Sequence, residues 1–214
     1  MDLLIVGVVF VATYVVAHLL IPAYAGPVTL ILTLVVCTWR LAVAHSSWGD
    51  LGLRPPERWL RTILWAFGLL VASELAALLI VNPIAQAADL PALDISRFAG
   101  VRGNWRALLG WLLVAWTSAA VAEELVFRGY LLSRLQILFG ATPLGITCAV
   151  LLQAACFGAG HVYLGSRGVL IATVMGLLYG AAYVGTGRNL PALMLAHGAT
   201  DSLSLISIYV GAVS

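Results

Sequence analysis

Residues 3–22 read LLIVGVVFVATYVVAHLLIP, twenty positions whose single ionisable side chain is His18. At ~1.5 Å of rise per residue such a run is ~30 Å long as a helix, the thickness of a bilayer's hydrocarbon core. Asp2 precedes it where a signal peptide would carry basic residues, and a signal peptide's apolar region is shorter, so the segment reads as a retained transmembrane helix. The whole chain is written in the same language. Of 214 residues, 62% are hydrophobic and 9% charged, with a mean hydropathy of +1.04. An average soluble domain is ~45–50% apolar and ~25% charged. Eleven basic and nine acidic residues cannot cover a globule with polar surface. A soluble fold, a disordered chain and a nucleic-acid binder are thereby excluded, and a net charge of +2 is too small to call for an acidic partner.

Applied along the chain, the ~20-residue template predicts helices over 3–22, 27–44, 62–84, 107–133, 143–164, 168–186 and 190–212. The expected fold is an all-α, polytopic transmembrane bundle of about seven spans, with six to eight as bounds. Residues 1–214 form one membrane domain without internal repeats, and 130–141 is a candidate for a separate short helix. The longer loops are 45–61, where SSWGDLGLRPPERWLR at 46–61 has the composition of an interfacial segment, and 85–105 on the opposite side. Cys37, Cys148 and Cys156 lie in apolar runs and are odd in number, which argues for core residues and against disulfides.

Every basic residue is Arg, which together with abundant Ala, Leu and Gly is the usage of a GC-rich bacterium. Arg40, Arg54, Arg58, Arg61, Arg128, Arg134 and Arg188 fall on the N-terminal side, against Arg97, Arg102, Arg106 and Arg167 opposite. The positive-inside rule then sets the N-terminus in the cytoplasm, and a bacterial inner membrane is the expected location.

Ionisable groups inside a bilayer cost at least ~2.5–3.5 kcal/mol each, so each is a functional candidate. In Ala122-Glu123-Glu124-Leu125-Val126-Phe127-Arg128, Glu124 and Arg128 are four apart and pair on one helix face. Glu123 points about 100° away and stays poorly solvated and unpaired, the setting of a general base. In Phe157-Gly158-Ala159-Gly160-His161, Phe157 and His161 share a face and the glycines admit a second backbone or a substrate. In His197-Gly198-Ala199-Thr200-Asp201, the i, i+4 carboxylate can orient the imidazole or keep it charged. Each pattern alone has a structural explanation, as an ion pair, a core histidine or a hydrogen-bonded pair. Together they supply a base, two imidazoles and an orienting acid, which packing does not explain.

At these residues the chain resembles the CPBP (CAAX protease and bacteriocin-processing, or Abi) family, which includes the type II CAAX prenyl endopeptidases. The family motifs E-E-x-x-x-R, F-x-x-x-H and H-x-x-x-N/D correspond in order to Glu123-Glu124…Arg128, Phe157…His161 and His197…Asp201. Leu51-Gly52-Leu53-Arg54 is similar to a short upstream segment of many bacterial members. The likeness is strong over 120–201 and loose before it, within a motif-bearing core of about 107–212. It implies an intramembrane glutamic-type endopeptidase acting on a membrane-tethered protein or peptide, without cofactor or metal ion. By the same resemblance Glu123 activates water and His161 positions it. Glu124, Arg128 and Phe157 support the site, and His197 with Asp201 stabilises the oxyanion. Asp201 stands where the prenyl endopeptidases carry Asn. It serves either protonated or as the partner that keeps His197 cationic, and the second is preferred.

Three other readings stay open on the residues alone. Two His and two carboxylates could bind zinc, although H-E-x-x-H is absent and the ligands come from three helices. The same groups could relay protons in a carrier, without the repeats carriers usually show, or sit idle in an immunity scaffold. Depth raises one conflict. Counted from the N-terminal side at ~1.5 Å per residue, Glu123 lies about 16 Å deep, His197 about 12 Å and His161 about 28 Å. The three meet only if the fifth helix starts later than 143, or if 130–141 is interfacial or re-entrant. Gly176 and Gly180 form a G-x-x-x-G that lets the sixth helix pack closely, while His18 has no assigned role and Glu74 is expected to pair with a buried Arg or line a cavity.

Overall fold

A computed structural model of the chain describes residues 2–212 and contains helices and turns, with no strand among those residues. Seven rods run to and fro between two faces: α1 (Asp2–Leu20), α2 (Ala25–Val43), α3 (Trp59–Ala87), α4 (Trp105–Phe139), α5 (Pro143–Ala159), α6 (Gly165–Gly185) and α7 (Leu190–Val210). Six helices are long and apolar enough to cross a membrane, and Pro143–Ala159 is a shorter apolar one. The chain therefore reads as an integral membrane protein.

Local chemistry starts the helices that matter. Asn104, Thr142 and Asn189 each accept a hydrogen bond from a first-turn amide, those of Ala107, Gly145 and Ala192, and Pro143 and Pro191 sit where a missing N–H is harmless. α7 ends at Gly211 in the left-handed region.

One face carries loops 44–58, 140–142 and 186–189. Tyr183 Oη donates to the Leu51 carbonyl at 2.7 Å, Arg188 Nη1 donates to that of Asp50, and Asp2 pairs with Arg40. On the other face the Gly103 amide bonds Tyr209 O and the Asp94 amide bonds Leu164 O. α6 lies along α5 at close range. A Cβ on Gly176 would come within 2.8 Å of the Ala154 Cα, and one on Gly180 within 2.8 Å of Gln153 Oε1, so the G-x-x-x-G joins these two helices.

Three expectations are corrected. Residues 130–141 are neither a separate helix nor re-entrant, because α4 continues unbroken to Phe139. α5 begins at Pro143 as expected but stops at Ala159. Its last turn runs into Gly160 and a tight turn at Val162–Leu164, which Gly165 exits with φ +78°. Among the described residues Glu74 pairs with no Arg, and it does not line the cavity that holds Glu123. It is exposed on the outer side of α3, as His18 is on α1.

Candidate active site

The conflict of depths disappears with the longer α4. Gly129 packs against the Leu190 side chain at the start of α7. Ten further residues of α4, roughly 15 Å at helical rise, carry the α4–α5 turn beyond that level. Glu123 and His161 are then about equally far from the turn, sixteen residues back and eighteen residues on from its ends. His197, seven residues into α7, reaches the same level from a higher start.

Ala115–Leu132 of α4 winds as a π-helix, with i→i+5 hydrogen bonds. Successive side chains diverge somewhat less there than in an α-helix, and Glu123 is left without the Arg128 partner that Glu124 takes. One imidazole touches both. His197 Nδ1 lies 2.8 Å from Glu124 Oε1, while its Nε2 is 3.9 Å from Glu123 Oε2 and 3.9 Å from Asp201 Oδ2.

Glu124 is the hub of this arrangement. It is fully buried, and the same Oε1 accepts a hydrogen bond from Arg128 Nη1 at 2.9 Å. A buried carboxylate needs such a partner. Because a carboxylate accepts, the bond to His197 sets the ring proton on Nδ1 and aims Nε2 at Glu123 and Asp201. The i, i+4 spacing pointed to Asp201 as the orienting acid of His197. The hydrogen bond belongs to Glu124, from another helix.

Aromatic rings hold these charges in place. The Arg128 guanidinium lies 4.1 Å from the centre of the Phe157 ring and 5.3 Å from that of Tyr179. Tyr179 and Phe157 both meet His197 edge-on, at 5.6 and 6.2 Å. Thus Phe157 touches the cation, His197 and, at 4.7 Å, His161. His161 Nδ1 donates to the Phe157 carbonyl at 2.8 Å, which leaves Nε2 free. Gly158 permits this turn, because a Cβ there would overlap Thr173 of α6.

Glu123, His161, His197 and Asp201 all line one cavity of about 620 Å³. Its other walls are mostly apolar and include Phe10, Phe98 and Trp111. Loop 88–104 contributes Arg97, whose guanidinium lies 4.2 Å over the Tyr163 ring, itself stacked on His161 at 5.8 Å. In that loop the Ser96 hydroxyl and amide hold the Asp94 carboxyl below the usual carboxylate range. Glu123 Oε2 has no hydrogen-bond partner among the described residues. Nor is any group of three His, Cys, Asp or Glu among those residues arranged to hold a metal ion, so the zinc reading finds no ligand set.

The sequence does not mark Tyr163 and Tyr179 as site residues, and it presents Arg97 only as a loop charge. Tyr163 stands two residues after His161 and could have been considered, whereas nothing local marks Tyr179 or Arg97.

The model of the family described as type II CAAX prenyl endopeptidase Rce1-like matches residues 105–203. No curated protein and no solved structure matches the chain. The matched segment runs from the start of α4 into α7 and includes all seven motif residues.

Proposed function

We propose, from the membership of residues 105–203 in the Rce1-like type II CAAX prenyl endopeptidase family of protease hydrolases, that this chain cuts a peptide bond of a membrane-tethered protein through water activated by Glu123. The observation that carries the reading is the division of labour between adjacent glutamates. Glu124 is committed to Arg128 and His197, while Glu123 faces the cavity with an unpartnered oxygen.

Glu123 takes a proton from water as the water oxygen bonds to the scissile carbonyl carbon. His161, with Nδ1 tied to the Phe157 carbonyl, offers Nε2 to hold that water. Negative charge then develops on the carbonyl oxygen. The His197 ring lies among three carboxylates, Glu124 at Nδ1 and Glu123 and Asp201 at Nε2, and its protonated Nε2 is the donor for that oxyanion. Return of the proton from Glu123 to the leaving amine completes the cleavage. Asp201 faces His197 Nε2 at 3.9 Å and need not donate a hydrogen bond itself. A bacterial inner membrane with a cytoplasmic N-terminus fits the Arg distribution. Substrates of this kind include leader peptides and C-terminal membrane tails.

The test compares protein termini in cells expressing the wild type or Glu123→Gln at equal level. Termini lost in the variant support the reading and name the substrate. Activity that survives Glu123→Gln overturns it. His161→Ala should be equally inactive while the protein still accumulates in the membrane.

A further inference from the structure

The cavity is one-sided. Its lining comes from Phe10 and Tyr14 of α1, the first turns of α2, α4 as far as Arg128, loop residues 93–98, the last turn of α5, turn residues 160–164, α6 as far as Tyr179 and α7 from His197 onward. The lining runs from the middle of the bundle, at Arg128 and Tyr179, to the face that carries loop 88–104. Loops 44–58, 140–142 and 186–189 contribute nothing.

Toward those three loops the site is sealed. Tyr130, Leu132, Tyr183, Leu190 and Leu193 are at most 1% exposed, and Leu41, Leu51 and Leu135 fill the space around them. Water and a peptide therefore reach Glu123 from the face of loop 88–104 or from the bilayer beside it.

The sealed face is also the richer in arginine. Arg128 is buried and drops out of the count. That leaves Arg40, Arg54, Arg58, Arg61, Arg134 and Arg188 there, against Arg97, Arg102, Arg106 and Arg167 on the open face. In short loops, such an excess marks the cytoplasmic side.

Building on the protease reading, we infer that the active site opens on the non-cytoplasmic side of the membrane and cuts segments already carried across it. The reaction that supplies the substrate is then a translocation step, which brings an anchored, largely apolar peptide to the outer half of the bilayer. The mostly apolar walls suit such a segment, and about 620 Å³ holds only a short length of it at a time.

Thiol labelling tests the assignment. Cys37 is fully buried, so Cys148→Ala with Cys156→Ala leaves a silent background. Into it go, singly, Ala99→Cys on the open face, Ser204→Cys in the cavity and Glu57→Cys on the sealed face. Intact cells are treated with a small membrane-impermeant thiosulfonate, with detergent-solubilised protein as the measure of complete reaction. The expectation is labelling of Ala99→Cys and Ser204→Cys in intact cells, at least ~10-fold above Glu57→Cys, which reacts only after permeabilisation. Labelling of Glu57→Cys from outside overturns the inference. So does protection of Ser204→Cys while Ala99→Cys reacts. The pattern is read without a substrate, so it separates the two claims. Expected labelling without Glu123-dependent termini removes the protease and keeps the face. Reversed labelling with Glu123-dependent termini does the opposite.

Discussion

Glu123 and Glu124 are neighbours in sequence with opposite surroundings, and the stabilities of their variants should differ accordingly. Removing one partner of a buried ion pair typically costs ~3–5 kcal/mol, because the other charge is left uncompensated. Glu124→Ala strands Arg128 in that way, and also frees His197 Nδ1. It should lower the melting point of the detergent-solubilised protein sharply. Glu123→Gln removes no hydrogen bond at Oε2 and should cost less than about 1 kcal/mol. Equal melting losses in the two variants would contradict the assignment of roles. Asp201 lies 3.9 Å from His197 Nε2, beyond hydrogen-bond range, so Asp201→Asn should keep substantial cleavage of the substrate that the termini comparison identifies. A dead Asp201→Asn variant would instead make its charge essential to His197.

Among the elements, the α5–α6 pair does most to shape the site, since it delivers Phe157 and His161 on one side and Tyr179 on the other. Gly176 is the contact that sets their spacing, and its neighbour is the Ala154 backbone, which cannot swing aside. Gly176→Leu should cost ~1–3 kcal/mol by overpacking, seen as a lower melting temperature. It should also lower kcat, because parting the helices by about 1 Å can cost ~10²-fold in rate. An unchanged rate would show that the site does not depend on this spacing. The π-wound stretch of α4 is the other decisive element. It brings two successive carboxylates to one imidazole, at 2.8 and 3.9 Å.

In the molecule as a whole, the sealed face is held shut by loop 44–58. Gly52 has φ +100°, and a Cβ there would collide with the Arg188 carbonyl. Alanine is strained at such a φ, so Gly52→Ala should cost more than ~1 kcal/mol. It should loosen the latch made by Tyr183 Oη on Leu51 O. Limited proteolysis within 44–58 should accelerate in Gly52→Ala, while sites in 88–104 are cut at the wild-type rate. Uniform protection of both loops would mean that the latch does not govern the face. Leu51-Gly52-Leu53-Arg54, noted in the sequence only for its likeness to a family segment, thereby acquires a physical role in closing the side away from the candidate site.

Composition and run length alone decide that this chain is an all-helical membrane protein, because ~20 apolar residues have few other stable fates. Its spans, and the residues Glu123, Glu124, Arg128, Phe157, His161, His197 and Asp201, are legible for the same kind of reason. An ionisable group in such a run is costly and stands out. The Glu124–Arg128 pair was legible from its i, i+4 spacing, whereas the hydrogen-bond partner of His197 was not. Local spacing offered His197 the carboxylate four positions on, and only the packing of α7 against α4 reveals Glu124 as its hydrogen-bond partner. Likewise the depth of α5 depends on how far α4 projects, and the outward position of Glu74 on which side of α3 meets its neighbours. Sequence determines which residues must be inside a membrane and which are too costly to be there idly. Tertiary structure decides which of them touch and which side water reaches, since both depend on the relative height and rotation of helices far apart in the chain.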